Sequence, residues 1–138
     1  MIKLIIGNKG SGKTKRLIGM VNEAAEKSDG NVVCVEKGPS LTYNLTHKVR
    51  LIDTDVYKIS GYDTLYGLLS GICAGNYDVT DIFVDATLKI GGRDFAKLTD
   101  FIEKVKILSD ERGIDFVFTI SCADDELPAE ILGFAEKI

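Results

Sequence analysis

The chain lacks a surplus of positive charge. Its 138 residues hold 17 Lys and Arg against 21 Asp and Glu, a formal net charge of −4. That balance argues against a broad nucleic-acid-binding face, while leaving room for a local basic patch. Cysteine is scarce. Cys34, Cys73 and Cys122 are odd in number and far apart, so they offer neither a disulfide framework nor a metal-ligand spacing, and a cytoplasmic setting is expected. Long hydrophobic runs are missing as well, which excludes a membrane-spanning helix. The first apolar run is a few residues long and leads into a glycine-rich segment, so no signal peptide is expected. A single histidine, His47, falls in an irregular polar stretch and reads as a surface residue. What is present is ordinary: 45% hydrophobic and 28% charged residues suit a globular chain, and the length suits one domain spanning 1–138 with its own core.

Apolar runs alternate with helical patterns along the chain. Ile2 to Ile6, Val32 to Glu36, Val49 to Ile52, Thr80 to Asp85 and Ile114 to Ile120 read as strands. Most are apolar almost throughout, as strands buried on both faces of a parallel sheet are. Between them, Lys13 to Lys27, Tyr62 to Ala74 and Asp94 to Arg112 carry apolar residues at helical spacing. Gly67 and Gly71 weaken the second helix and suggest close packing there. Ala86 to Arg93 reads as a linker. A last helix is expected to start near Asp124 and run through Ile131 and Leu132 to near Ala135. The pattern predicts an α/β fold of three layers, helix–sheet–helix, around a mostly parallel five-stranded sheet.

The chain is organised around Gly7-Asn8-Lys9-Gly10-Ser11-Gly12-Lys13-Thr14. It fits G-x-x-x-x-G-K-[ST], with a strand directly before it and a helix directly after, the context that this phosphate-binding loop requires. Successive backbone N–H groups of such a loop form an anion-binding concavity. The helix that follows, from Lys13 and Lys15 onward, opens on unpaired N–H groups that favour an anion. Lys13 is expected to reach the β- and γ-phosphates of a nucleotide and the Thr14 hydroxyl to ligate Mg²⁺. Asp85 ends the apolar strand Ile82-Phe83-Val84. A carboxylate there is the second half of the pattern, a Walker B residue that binds Mg²⁺ directly or through water.

The residue after Asp85 is Ala86, where many ATPases carry a catalytic Glu. The Walker motifs and the strand end at Glu36 resemble the RecA-like branch of P-loop NTPases. That resemblance implies a P-loop fold binding ATP and Mg²⁺, and a catalytic Glu at the end of the strand after the P-loop helix, which is Glu36. It further implies a polar residue sensing the γ-phosphate at the end of the strand after Asp85, either Thr119 or Ser121, and a site often built between subunits. Asp53 and Asp55 are weaker candidates for metal or water. Over nearly its full length the chain also resembles a group of small bacterial P-loop proteins that share Lys3 to Thr14, the Phe83-Val84-Asp85 strand end and the segment Thr119 to Pro128. A twitching-motility ATPase role is sometimes ascribed to that group; the resemblance itself brings the nucleotide site and no process.

Several functions fit these motifs. A minimal ATPase or nucleotide switch is the first. A nucleoside- or nucleotide-type kinase is the second, although Arg16, Arg50, Arg93 and Arg112 do not make the arginine-rich lid that such kinases use to hold several anionic groups. Arg93, beside Gly91-Gly92, is either a phosphate contact or a salt-bridging surface residue. A non-hydrolysing ATP-binding interaction module is the third. A GTP switch is not expected, because no Asn-Lys-x-Asp segment follows Asp85. The tyrosines could stack on a base or pack with one edge wet. The sheet of the RecA-like branch has a further strand beside the P-loop strand. With five strands, Ile2 to Ile6 would lie on an open edge, which invites a homodimer or another protein partner.

Overall fold

Strands and helices form largely where the periodicity places them in a computed structural model, which describes residues 1–138. In chain order they are β1 (Ile2–Gly7), α1 (Lys13–Lys27), β2 (Asn31–Glu36), β3 (Val49–Asp53), α2 (Tyr62–Gly75), β4 (Val79–Val84), α3 (Thr87–Gly91), α4 (Phe95–Arg112), β5 (Asp115–Ser121) and β6 (Glu136–Lys137). The sheet runs β3-β2-β4-β5-β1-β6, and every pairing in it is parallel. β5 thus separates the P-loop strand β1 from the Asp85 strand β4.

Side chains alternate across a strand, so parity sorts each residue onto one face. Leu4, Val33, Val35, Ile82, Val84, Phe116, Phe118 and Ile120 share one core with residues of α2, α3 and α4. Ile5, Val32, Cys34, Phe83 and Val117 share the other with Leu17 and Val21 of α1, and with Leu41. Three layers result, with α1 on one side and the other helices opposite. The same parity places Glu36, Asp85, Thr119 and Ser121 on the α1 side, at the C-terminal ends of their strands. That edge is where open α/β sheets bind ligands.

Local chemistry sets the helix ends. Asp94 caps α4, its Oδ1 accepting from the N–H groups of Ala96 and Lys97 at 3.1 Å each. Gly113 closes the same helix at φ 65°, a left-handed turn that suits glycine. The N-terminus of α1 has no side-chain cap and no acidic residue in its first turn, so its N–H groups and dipole face the loop unneutralised.

Several expectations are corrected. The sheet has six strands, since Glu136 and Lys137 pair with Lys3 and Leu4 and the Ile138 N–H donates to the Leu4 carbonyl at 2.9 Å. β1 is therefore an interior strand with its edge covered over that stretch. The expected last helix is two short 3₁₀ turns, Asp124–Glu126 and Ala129–Gly133. Ile131 is fully buried and packs that tail onto the core. The linker after Asp85 contains the single turn α3. A Cβ at Gly67 or Gly71 would meet nothing within 4 Å, so these glycines serve no close packing. Close packing instead falls at other glycines, among them Gly91, which lies under the Tyr62 ring. Of the tyrosines, Tyr62 is buried, while Tyr43 and Tyr77 are 98% and 92% exposed. No helix is long and apolar enough to cross a membrane.

Candidate nucleotide site

The loop after β1 has the shape its glycines allow. Gly10 and Gly12 adopt φ of 84° and 86°, a left-handed conformation that side-chain-bearing residues resist. Gly7 is needed for another reason. A Cβ there would lie 2.4 Å from Ser11 Oγ, because the loop folds back over the end of β1. Lys13 is nine-tenths buried, and its ammonium donates to the Asn8 carbonyl at 3.0 Å across the loop.

Asp85 is held by two hydroxyls from different elements. Thr14 Oγ1, in the first turn of α1, donates to Asp85 Oδ2 at 3.1 Å and lies 3.3 Å from Oδ1. Thr119 Oγ1 on β5 donates to Asp85 Oδ1 at 2.6 Å. The same Thr119 oxygen accepts from the Ala86 N–H at 2.8 Å. The register explains the triad: Val84 pairs with Phe118, which sets Thr119 beside Asp85. Ala86 itself stands at φ 55°, a conformation that costs a non-glycine residue about 1 kcal/mol or more. The hydrogen bond to Thr119 holds it there.

Thr14 and Asp85 bring one hydroxyl and one carboxylate to a common point. Mg²⁺ takes oxygen ligands, uses one or two carboxylates, and completes its shell with phosphates and water. These two residues fit it. Nowhere do three or more His, Cys, Asp or Glu residues converge as a metal cage, so a metal held by Thr14 and Asp85 would need further oxygen ligands from outside the chain.

Glu36 is buried, at 2% exposure, beside the same cleft. Its Oε1 accepts from Ser40 Oγ at 3.0 Å and its Oε2 from the Leu41 N–H at 3.0 Å. Burial pushes its pKa up. The bonds from Leu41 and Ser40 oppose that shift, and the nearby charges of Asp85 and Asp53 add to it. Cys34, one turn of the pleat below and fully buried, is shifted up by burial and by the charges of Asp85 and Glu36. The carboxylates and the thiol therefore share one low-dielectric floor.

A cleft of about 690 Å³ joins these parts, with P-loop residues Lys9, Gly10, Gly12, Lys13, Thr14 and Lys15 on one side. Glu36, Asp85, Thr119 and Ser121 also line it, together with Lys37, Lys89 and Arg93. Asn8 and Ser11 shape the loop from within: Asn8 accepts from Lys13, and the Ser11 N–H donates to the Asn8 carbonyl at 3.1 Å. Between Thr119 and Ser121, it is Thr119 that engages Asp85. Ser121 uses its carbonyl to accept from Arg93 Nη1 at 3.0 Å. Asp53 and Asp55 lie outside the cleft. Asp53 Oδ1 accepts from the Gly38 and Asp55 N–H groups at 2.9 Å each, and Asp55 pairs with Lys37 at 2.5 Å. His47 sits in an exposed turn. Sequence reading did not single out Lys37 and Lys89; their places just beyond the ends of β2 and β4 were the available signal. A second cleft, of about 520 Å³, opens at the other end of the strands beside Met20 and Phe83, away from this chemistry.

No protein-family model matches the chain, and no curated protein does. Solved structures do match. One is a KaiC-like protein of the hyperthermophilic archaeon Pyrococcus horikoshii, with a TM-score of 0.61 and 14% sequence identity. The match covers 96% of this chain and 66% of that one, so the chain spans just under two thirds of its neighbour's length. At that identity the likeness shows the fold alone: a three-layer α/β/α P-loop fold around a mostly parallel sheet.

Proposed function

We propose that this chain is a Mg²⁺-dependent ATP-binding protein, a minimal RecA-like ATPase or nucleotide switch built on a single domain. The observation that carries this reading is the convergence of Thr14 and Thr119 on the Asp85 carboxylate, at 3.1 and 2.6 Å, beside a loop whose Lys13 and free helix N–H groups suit phosphates. The residues divide the work. Gly7 to Thr14 cradle the triphosphate, and Lys15 lies on the same rim. Lys13 places its charge where negative charge grows on the transferring phosphoryl group. Thr14 and Asp85 would hold Mg²⁺, which when bound neutralises phosphate charge and fixes the phosphate oxygens. Glu36 orients a water for attack and takes its proton; a carboxylate with raised pKa is a better base near neutral pH. Thr119 positions Asp85, and Ser121 lines the γ-phosphate end.

One observation favours a second reading. Both Glu36 oxygens already accept hydrogen bonds, from Ser40 and Leu41, so Glu36 can serve as the organiser of its turn. In that case the chain binds ATP without hydrolysing it, as an interaction module or as a kinase with a separate acceptor. Binding and turnover of ATP with Mg²⁺, measured on wild type, Lys13→Ala and Glu36→Gln, decide between them. The ATPase reading expects wild-type turnover, a Glu36→Gln protein that binds as tightly but stalls, and a Lys13→Ala protein that binds at least about tenfold more weakly, the scale of one charge-assisted contact. Binding without turnover in wild type supports the module. Absence of nucleotide binding in wild type rejects both.

A further inference from the structure

Charge is distributed unevenly around the cleft. Six of the chain's 17 basic residues line it, but only two of its 21 acidic ones. A chain of formal charge −4 thus carries a cleft of +4. The eleven basic and nineteen acidic residues outside it sum to −8. The six cations also fall into two groups. Lys9, Lys13 and Lys15 belong to the P-loop and α1, on one face of the sheet. Lys37 follows β2, while Lys89 lies in α3 and Arg93 follows it. α3 packs on the face opposite α1, through Leu88 and Ile90. The sheet edge with Glu36 and Asp85 forms the floor between the two groups. The P-loop group, with the loop N–H groups, suffices for one nucleotide's phosphates.

The second group is available to an anion. Lys89 is exposed and makes no ion pair, while Lys37 and Arg93 are held by Asp55 and Glu126, at 2.5 and 3.5 Å, in exposed pairs. Exposed pairs contribute little and exchange readily. Arg93 is also ordered by the Ser121 carbonyl and lies over the Phe95 ring at 5.8 Å, so its guanidinium is oriented before any ligand arrives.

We propose that Lys37, Lys89 and Arg93 form a second anion subsite, which seats a compact phosphate-bearing small molecule beside the nucleotide. The rest of the surface selects for compactness. A polynucleotide strand leaving the cleft would cross a surface of net −8, whereas nucleic-acid binding requires an extended basic track. The lining also includes only two hydrophobic residues, Ala86 and Leu88, so the ligand is recognised through its phosphate. The subsite rests on the ATP reading only for what occupies the neighbouring half of the cleft.

Calorimetric titration of inorganic phosphate tests this, using protein saturated with Mg²⁺ and a non-hydrolysable β,γ-imido ATP analogue at constant ionic strength. One saturable phosphate is expected. Lys89→Ala should weaken it about tenfold, the scale of one lost charge-assisted contact. Lys89→Arg should restore it, and analogue affinity should change less than about twofold, since Lys89 is exposed and unpaired. No saturable phosphate, or equal affinity in wild type and Lys89→Ala, overturns the subsite. A ten-residue oligothymidine that binds the loaded protein and is lost in Lys89→Ala overturns the compact-ligand assignment. Should the analogue itself fail to bind, the ATP reading falls. The same phosphate titration on Lys13→Ala protein, with and without Lys89→Ala, then decides the subsite alone: a Lys89-dependent phosphate supports it, and an indifferent one rejects it.

Discussion

Thr119→Val should damage the protein well beyond what its size suggests. The change keeps the shape of a side chain that is 1% exposed. It removes the donor to Asp85 at 2.6 Å and the acceptor for the Ala86 N–H at 2.8 Å. A hydrogen bond to a charged group is worth about 1.5–3 kcal/mol. The Ala86–Thr119 bond is only part-buried, so water can replace the lost partner and its removal adds less than about 1 kcal/mol. A net loss of about 1.5–4 kcal/mol follows, or about 5–15 °C in Tm for a domain of this size. Two controls separate the bonds from packing. Thr119→Ser keeps both bonds and should lose about 1 kcal/mol for one methyl. Ser121→Ala, whose hydroxyl does not engage Asp85, should stay within about 0.5 kcal/mol. Thermal and urea unfolding of the three variants measure the order. If Thr119→Val melts with wild type, or Thr119→Ser loses as much as Thr119→Val, then the hydroxyl does not hold Asp85 as described.

Two further expectations follow from burial. Gly91→Ala would place a Cβ 2.2 Å from the Tyr62 ring, which is itself packed against Phe101 at 5.2 Å and tethered to the Gly92 carbonyl at 2.7 Å. Overpacking of this kind costs about 1–3 kcal/mol; the loss should shrink in a Tyr62→Leu background, and an unchanged loss there would assign it to the backbone instead. Burial raises the Glu36 pKa above 4.5, so the folded state holds that proton more tightly than the unfolded chain. Stability from the protonated acid is complete below pH 4.5 and is lost as pH rises through the folded-state value. Glu36→Gln should therefore gain on wild type as pH rises from about 4 to 8 in urea titrations, and a flat or falling difference would contradict the assignment.

The parts of the candidate site that are legible in sequence are those whose signal is local. Gly7 to Thr14 is a contiguous pattern between a strand and a helix. Asp85 closes an apolar strand, and parity along Val32-Cys34-Glu36 puts Glu36 on the same face. Thr119 and Ser121 share a parity, so sequence leaves both open. Only the pairing of Val84 with Phe118 separates them, and register is a property of two strands rather than one. β6 escaped because two residues carry no period. Ile131, Leu132 and Ala135 imitate a helix face, yet Ile131 alone is fully buried, in a tight turn. The paired basic groups of the cleft were hidden for a related reason: Lys37 and Lys89 stand 52 positions apart and meet only through the order of β2 and β4.

The position of β1 bears on how the chain comes to fold. Ile2 pairs with Phe116, and Lys3 with Glu136, so the first strand finds both neighbours more than a hundred residues later. Contacts at such separations are slow to form, because the loop between them must close first. A growing chain emerging from the ribosome therefore exposes the P-loop sequence long before Thr119 is available to set Asp85 opposite Thr14. On the proposed reading, nucleotide cannot act as an early template for this fold. Its binding would instead reward chains already made through β5, and ligand-dependent stabilisation would report that β5 is in place.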